Sequence, residues 1–319
     1  MVIDNDAREI HDGSYSRMPP SRRKPMSEEA KYAKNGHTRI ANAEFVIEAT
    51  KGFGVEPSPQ SRLMKMRSVL QKSNGRIPPP EHPDFEIALE SVRDMQLLVF
   101  AFNQGCASSG NAKFKEKLKT LNDDVILPQN NRQRSQGRDV QFELFVAAIC
   151  RATQFEGFLF AEPDAEPDVR CDVAGVQIGI AAKRIKSESQ VEKRIREAVS
   201  QIDKSGIPGI IAVETNVLLN RDNTRIDRPI SDRVFGPIYK EAMESFLHQY
   251  DTKIRQWTRH HEVLGLIFHD HQVRRAGDSD WSLDSMTTRF RIAEDALGKV
   301  LFECFEDYYL GTLPNVRYL

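Results

Sequence analysis

Between Pro167 and Glu214 the chain carries two short alternating runs, then an amphipathic stretch, then an apolar run, and that order leaves few folds open. In the first run Val169, Cys171 and Val173 share one face and Asp168, Arg170 and Asp172 the other. In the second, Val176, Ile178, Ile180 and Ala182 oppose Gln177, Gly179, Ala181 and Lys183. Both read as strands. Ala174-Gly175 between them fits a two-residue hairpin turn, which pairs 173 with 176, 172 with 177 and so on to 168 with 181. That register sets Asp168 opposite Ala181 on one face, with Lys183 a diagonal step away.

The amphipathic stretch follows at once. Ser187 to Gln190 and Ser189 to Glu192 are both spaced as capping boxes, and Val191, Ile195, Ala198, Val199 and Ile202 form one helical stripe. Gly206 and Pro208 end it, and Gly209 to Glu214 reads as a buried strand parallel to the hairpin's second strand. The fold class expected is α/β, a mixed central sheet with flanking helices.

The rest of the chain divides around this unit. Residues 1–35 are polar, without sustained period, and read as a flexible tail. Residues 36–130 read as a helical region, its apolar positions marked by Ile40 to Ile47, Leu63 to Leu70 and Phe85 to Phe102, with Pro78-Pro79-Pro80 setting the third segment apart. A polar stretch, Gln129 to Gly137, reads as a boundary before a domain of residues 131–319. After about residue 231 the pattern returns to helices with one apolar strand, Val263 to His269.

Composition narrows the function classes. No apolar run approaches the roughly 18 to 20 residues that a membrane span needs, and the start lacks a signal-peptide pattern, so a cytoplasmic protein is expected. Cys106, Cys150, Cys171 and Cys304 are scattered, which argues against a disulfide framework or a Cys-x-x-Cys zinc site. A net charge of −1 excludes a uniformly basic nucleic-acid binder, but Lys183, Arg184, Lys186, Lys193, Arg194 and Arg196 lie within one stretch. They form either a solvated helix face or a phosphate-facing patch.

Asp139 to Arg151 reads as a helix apolar almost all round, hence buried, and Glu143 sits on it beside Val140, Val146 and Ala147. A buried carboxylate needs a partner, here either an arginine, Arg151 or Arg138, or a metal ion.

Together these residues resemble the PD-(D/E)xK nucleases, in which Pro-Asp opens one hairpin strand and acid-x-Lys closes the next. The resemblance rests on Pro167-Asp168, Ala181-Ala182-Lys183 and Glu143, over about residues 136–216. It implies a restriction-endonuclease-like core with Asp168, Glu143 and the Ala182 carbonyl holding Mg2+ (or Mn2+), and Lys183 assisting the attacking water. Gln201 occupies a place where some relatives carry a glutamine near the site, against the plainer reading of an exposed or capping side chain. Ala181 stands where the family has its second acid. Three explanations compete: an inactivating substitution, migration of the acid, or a pseudo-nuclease that binds without cutting. Asp172 is four pairs from 181, roughly 13 Å along the strand and too far to share an ion with Asp168, so Glu143 is the better substitute.

Other constellations carry less. His269 and His271 would share a strand face, as zinc ligands can, but no third ligand is evident, and strand-end surface histidines are expected there and at His260-His261. Ser108-Ser109-Gly110 and Gly52-Phe53-Gly54 lack the context of a nucleophile or phosphate loop. The aromatic residues from Phe290 onward follow core spacing, with base stacking by Tyr308 or Tyr309 as the other reading. The expected function is therefore a metal-dependent endonuclease, with DNA as substrate and RNA as the other candidate, in defence against foreign DNA. The alternative is an inactive nucleic-acid or protein-binding module. A homo-oligomer or a regulatory protein partner would fit either, and no membrane partner is expected.

Overall fold

The computed structural model describes residues 28–104, 112–127, 135–153, 155–160, 167–219, 232–276 and 280–311. Among the described residues four helices come first, α1 (Glu28–Gly52), α2 (Arg62–Lys72), α3 (Phe85–Asn103) and α4 (Ala112–Asn122). Then follow α5 (Gln136–Ala152), β1 (Glu156–Phe160), β2 (Val169–Val173), β3 (Val176–Arg184), α6 (Val191–Ser205) and β4 (Gly209–Glu214). The chain closes with α7 (Asn216–Leu219), α8 (Asp232–Thr258), β5 (Val263–Ala276), β6 (Asp280–Arg291) and α9 (Ala296–Gly311).

The expected α/β class holds. One mixed sheet runs in the order β1-β2-β3-β4-β5-β6. The hairpin register is the one the turn dictates, Val173 opposite Val176 through Val169 opposite Ile180. Ala174 and Gly175 both take positive φ, 51° and 78°, the conformation a tight two-residue turn demands. β4 lies parallel to β3, with Ala181 beside Ile211 and Lys183 beside Val213. β5 is parallel to β4, and β6 returns antiparallel to β5 from Gly265 to Ala276.

Several expectations are corrected. Helix α1 already begins at Glu28, inside the stretch read as tail; residues 1–27 lie outside the described residues, as does most of the polar stretch 129–137. The sheet has two strands the sequence did not reveal, β1 and β6. Neither capping box forms: Glu188–Gln190 is a 3-10 turn, no side chain caps it, and α6 starts only at Val191.

Each face of the sheet is covered. On one side α6 and α8 enclose Ala181, Ile211, Val213, Leu266 and Phe268. On the other, a single apolar cluster runs from α1 to α5 through Ile180, Ala182, Ala212 and Ile267 to Phe302 and Phe305 on α9. Helix α5 lies in that cluster because it has no polar face wide enough to meet water.

Where α3 meets α2 and α5 the core is ionic. Arg62 Nη2 bonds Asp94 at 2.5 Å, Arg138 Nη2 bonds the same carboxylate at 2.9 Å, and Arg93 Nη2 bonds Glu90 at 2.5 Å. Burial alone would raise the Asp94 pKa, but the guanidiniums of Arg93, Arg138 and Arg62 hold it well below the usual carboxylate value. Arg138 is therefore spent here rather than on Glu143.

Candidate functional site

The polar residues that the hairpin register brings together lie where β2 begins and β3 ends. Pro167 packs flush on β3, and a Cβ added to Gly179 would come within 2.4 Å of its ring. The proline thus fixes the approach of the residue that follows it. Asp168 Oδ2 accepts the backbone N–H of Ala182 at 2.8 Å and Lys183 Nζ at 3.5 Å, while Lys183 Nζ also donates to the Ala182 carbonyl at 3.2 Å. Both described contacts of this carboxylate use Oδ2.

Glu143 stands on α5 near enough for the charges of Asp168 and Lys183 to act on it. Its helix is tied to the strand ends by Arg184, which donates to Glu214 on β4, to Ser135 Oγ at 3.1 Å and to Asp139 Oδ1 at 3.5 Å. Asp139 and Glu143 are four residues apart and so on one stripe of α5, which sets Glu143 over the end of β3. Burial, and then the charge of Asp168, push Glu143 up to about 7, against the opposing charges of Lys117 and Lys183. The partner of Glu143 is Lys117 on α4, not Arg151 or Arg138.

Lys117 is the residue that sequence reasoning missed. Phe114, Leu118 and Leu121 face the core from α4, and Lys117, three residues after Phe114, lies at the edge of that stripe. A lysine beside an apolar stripe was the available signal. The site is therefore two carboxylates, each in contact with an ammonium group: Glu143 with Lys117 and Asp168 with Lys183. Their side chains are all between 12% and 17% exposed.

Ala181 and Gln201 do not join them. Ala181 is fully buried in the apolar cluster under α6. Gln201 is half-buried on α6 with its Oε1 unpartnered, and among the described contacts none links it to Asp168 or Lys183. The basic stretch is likewise divided: Arg184 is buried on Glu214, Arg194 pairs with Glu197 at 2.9 Å and Arg196 with Glu192 at 2.8 Å.

The donors left for a cation are oxygens, from Glu143, Asp168 and the Ala182 carbonyl. Such a set suits Mg2+, which keeps several waters and takes one or two carboxylates, and it lacks the nitrogen or sulfur ligands of zinc. Among the described residues no group of three or more His, Cys, Asp or Glu side chains is arranged to hold a metal.

His269 and His271 are not surface residues. Both are buried, and their rings lie 15° from parallel with centroids 6.1 Å apart. His269 Nε2 meets Tyr309 Oη at 3.1 Å, and His271 Nδ1 meets Ser285 Oγ at 2.8 Å. Burial holds both imidazoles down to about 3, so they are neutral packing groups. Tyr309 is buried in this contact and is not available for base stacking, while the Tyr308 side chain lies outside the described residues. Among the described residues no helix is long and apolar enough to cross a membrane. In comparisons with known proteins the chain matches no protein family, no curated protein and no solved structure.

Proposed function

We propose that this chain is a metal-dependent endonuclease of the PD-(D/E)xK type acting on DNA, in which Glu143 supplies the acid missing at Ala181. The observation that carries the reading is the grouping of Asp168, Lys183 and the Ala182 carbonyl at one end of the β2–β3 hairpin, with Glu143 near enough to feel the charges of Asp168 and Lys183. The burial of Ala181 supports migration of the acid over its simple loss.

In this reading Asp168, Glu143 and the Ala182 carbonyl hold Mg2+ or Mn2+, which when bound polarises a phosphate oxygen and lowers the pKa of water. Lys183 orients the attacking water and offsets charge developing on the phosphate. Arg184, through Asp139, ties α5 to the end of β3 and so holds the helix that carries Glu143. Defence against foreign DNA is the setting the family resemblance supplies.

A second reading has its own support. Lys117 and Lys183 already neutralise both carboxylates, as in a hairpin kept for binding nucleic acid or protein. Plasmid cleavage in Mg2+ or Mn2+ separates the two. The first reading expects cutting by the unaltered chain and none by Asp168→Asn. If the unaltered chain is inert in both metals but binds DNA, the second reading stands and the first is wrong.

A further inference from the structure

We infer that Lys117, contributed by the amino-terminal helices, is a phosphate-binding residue of the site. The inference rests on the reading above that Glu143 and Asp168 form one anion-flanked site for a phosphodiester. A divalent ion held by Glu143 and Asp168 is matched in charge by the two carboxylates, so an incoming phosphodiester needs further positive charge, and Lys183 supplies it only beside Asp168 and the Ala182 carbonyl. Lys117 Nζ stands on the other carboxylate, Glu143.

Its placement is enforced by packing. Phe114, Leu118 and Leu121 anchor α4 in the core that α5 also occupies. That leaves the Lys117 side chain 17% exposed beside a Glu143 side chain 15% exposed. The side chain is mostly covered, and its ammonium group is held on Glu143. An ammonium group is a compact point charge on a flexible chain, able to exchange a carboxylate for a phosphate oxygen without moving the helix.

Two consequences of opposite sign follow. A divalent cation and Lys117 compete for Glu143, so removing the ammonium strengthens cation binding. Lys117 and the phosphodiester attract, so the same change weakens DNA binding. A lysine serving only as a structural ion pair would, when lost, free Glu143 for the cation in the same way but leave DNA binding unchanged.

The experiment uses the full chain and its Lys117→Met variant, with Lys117→Arg as the conservative control and thermal unfolding to confirm that each is folded. Mn2+ binding is read by electron paramagnetic resonance and duplex DNA binding by fluorescence anisotropy in Ca2+. The expected result for Lys117→Met is Mn2+ binding tighter by about fivefold and DNA binding weaker by about fivefold, the scale of one partly exposed charge pair. Lys117→Arg should recover most of the DNA affinity. If the unaltered chain binds both ligands and Lys117→Met does not weaken DNA binding, or weakens both, the role assigned to Lys117 is wrong and the nuclease reading survives. Should the unaltered chain bind DNA but no Mn2+, the nuclease reading fails and the anisotropy arm alone decides Lys117. Binding of neither ligand overturns both.

Discussion

The carboxylate of Asp168 accepts the backbone N–H of Ala182 from the neighbouring strand at 2.8 Å, so the acid is fixed by the backbone of the strand that ends in Lys183. The hydrogen bond also makes structure and chemistry at this position separable. Asparagine retains a carbonyl oxygen for the Ala182 N–H, whereas alanine leaves that partly buried donor unpaired at a cost of about 1–3 kcal/mol. Asp168→Asn should therefore unfold in urea near the unaltered midpoint and Asp168→Ala well below it. Both should lose cleavage by about a hundredfold or more. Equal midpoints would mean that the bond contributes nothing to stability.

Gly179 gives a way to move Asp168 without touching it. A methyl group there would overlap the Pro167 ring at 2.4 Å, and the next residue in the chain is Asp168. Gly179→Ala should cost about 1–3 kcal/mol of stability, the usual range for overpacking. At a temperature where it remains folded, cleavage should fall while the far-ultraviolet circular dichroism is unchanged. Normal cleavage would show that Pro167 does not position the acid.

The buried histidines set an acid limit. His269 and His271 titrate near 3 in the folded chain because burial disfavours their charged forms, against about 6.5 when unfolded. Below pH about 6.5 the unfolded chain takes up protons that the folded chain refuses, so their contribution is complete above that pH and is lost as the pH falls towards 3. Asp270 acts the other way. Burial pushes it up to about 7, so the folded state keeps a proton that the unfolded state releases, and its contribution is lost as the pH rises through 7. His271→Gln, which can still bond Ser285, should lower the slope of unfolding free energy against pH between 6 and 4.5 by up to about 1.4 kcal/mol per unit. Urea unfolding across that interval measures it, and an unchanged slope would contradict the buried neutral state.

The fold and the candidate site were legible to different depths. The β2–β3 register and the parallel β4 could be read because strict alternation around Ala174-Gly175 permits one pairing, and a slip by one residue would have turned Val169, Cys171 and Val173 to the wrong face. Glu143 was visible as an acid on a helix with no free face. Strand β6 was hidden because Asp284, Ser285, Thr287, Thr288 and Arg289 give it little apolar period, and its pairing with β5 supplies what its composition does not. Lys117 was hidden because its meeting with Glu143 depends on how α4 lies on α5, a tertiary fact. The histidines misled for the same reason: β5 runs past them to Ala276, and Phe142 and Phe145 on α5, with Tyr309 on α9, cover positions that looked like an exposed strand end.

Whether Glu143 stands in for the acid absent at Ala181 is tested most directly by Glu143→Gln. Glutamine can still accept from Lys117, so the helix contact is retained while the carboxylate is removed. Plasmid cleavage in Mn2+ should fall by about a hundredfold or more with thermal unfolding unchanged. Cleavage by Glu143→Gln at the rate of the unaltered chain would show that the acid has not moved to α5, and the proposed site would be wrong.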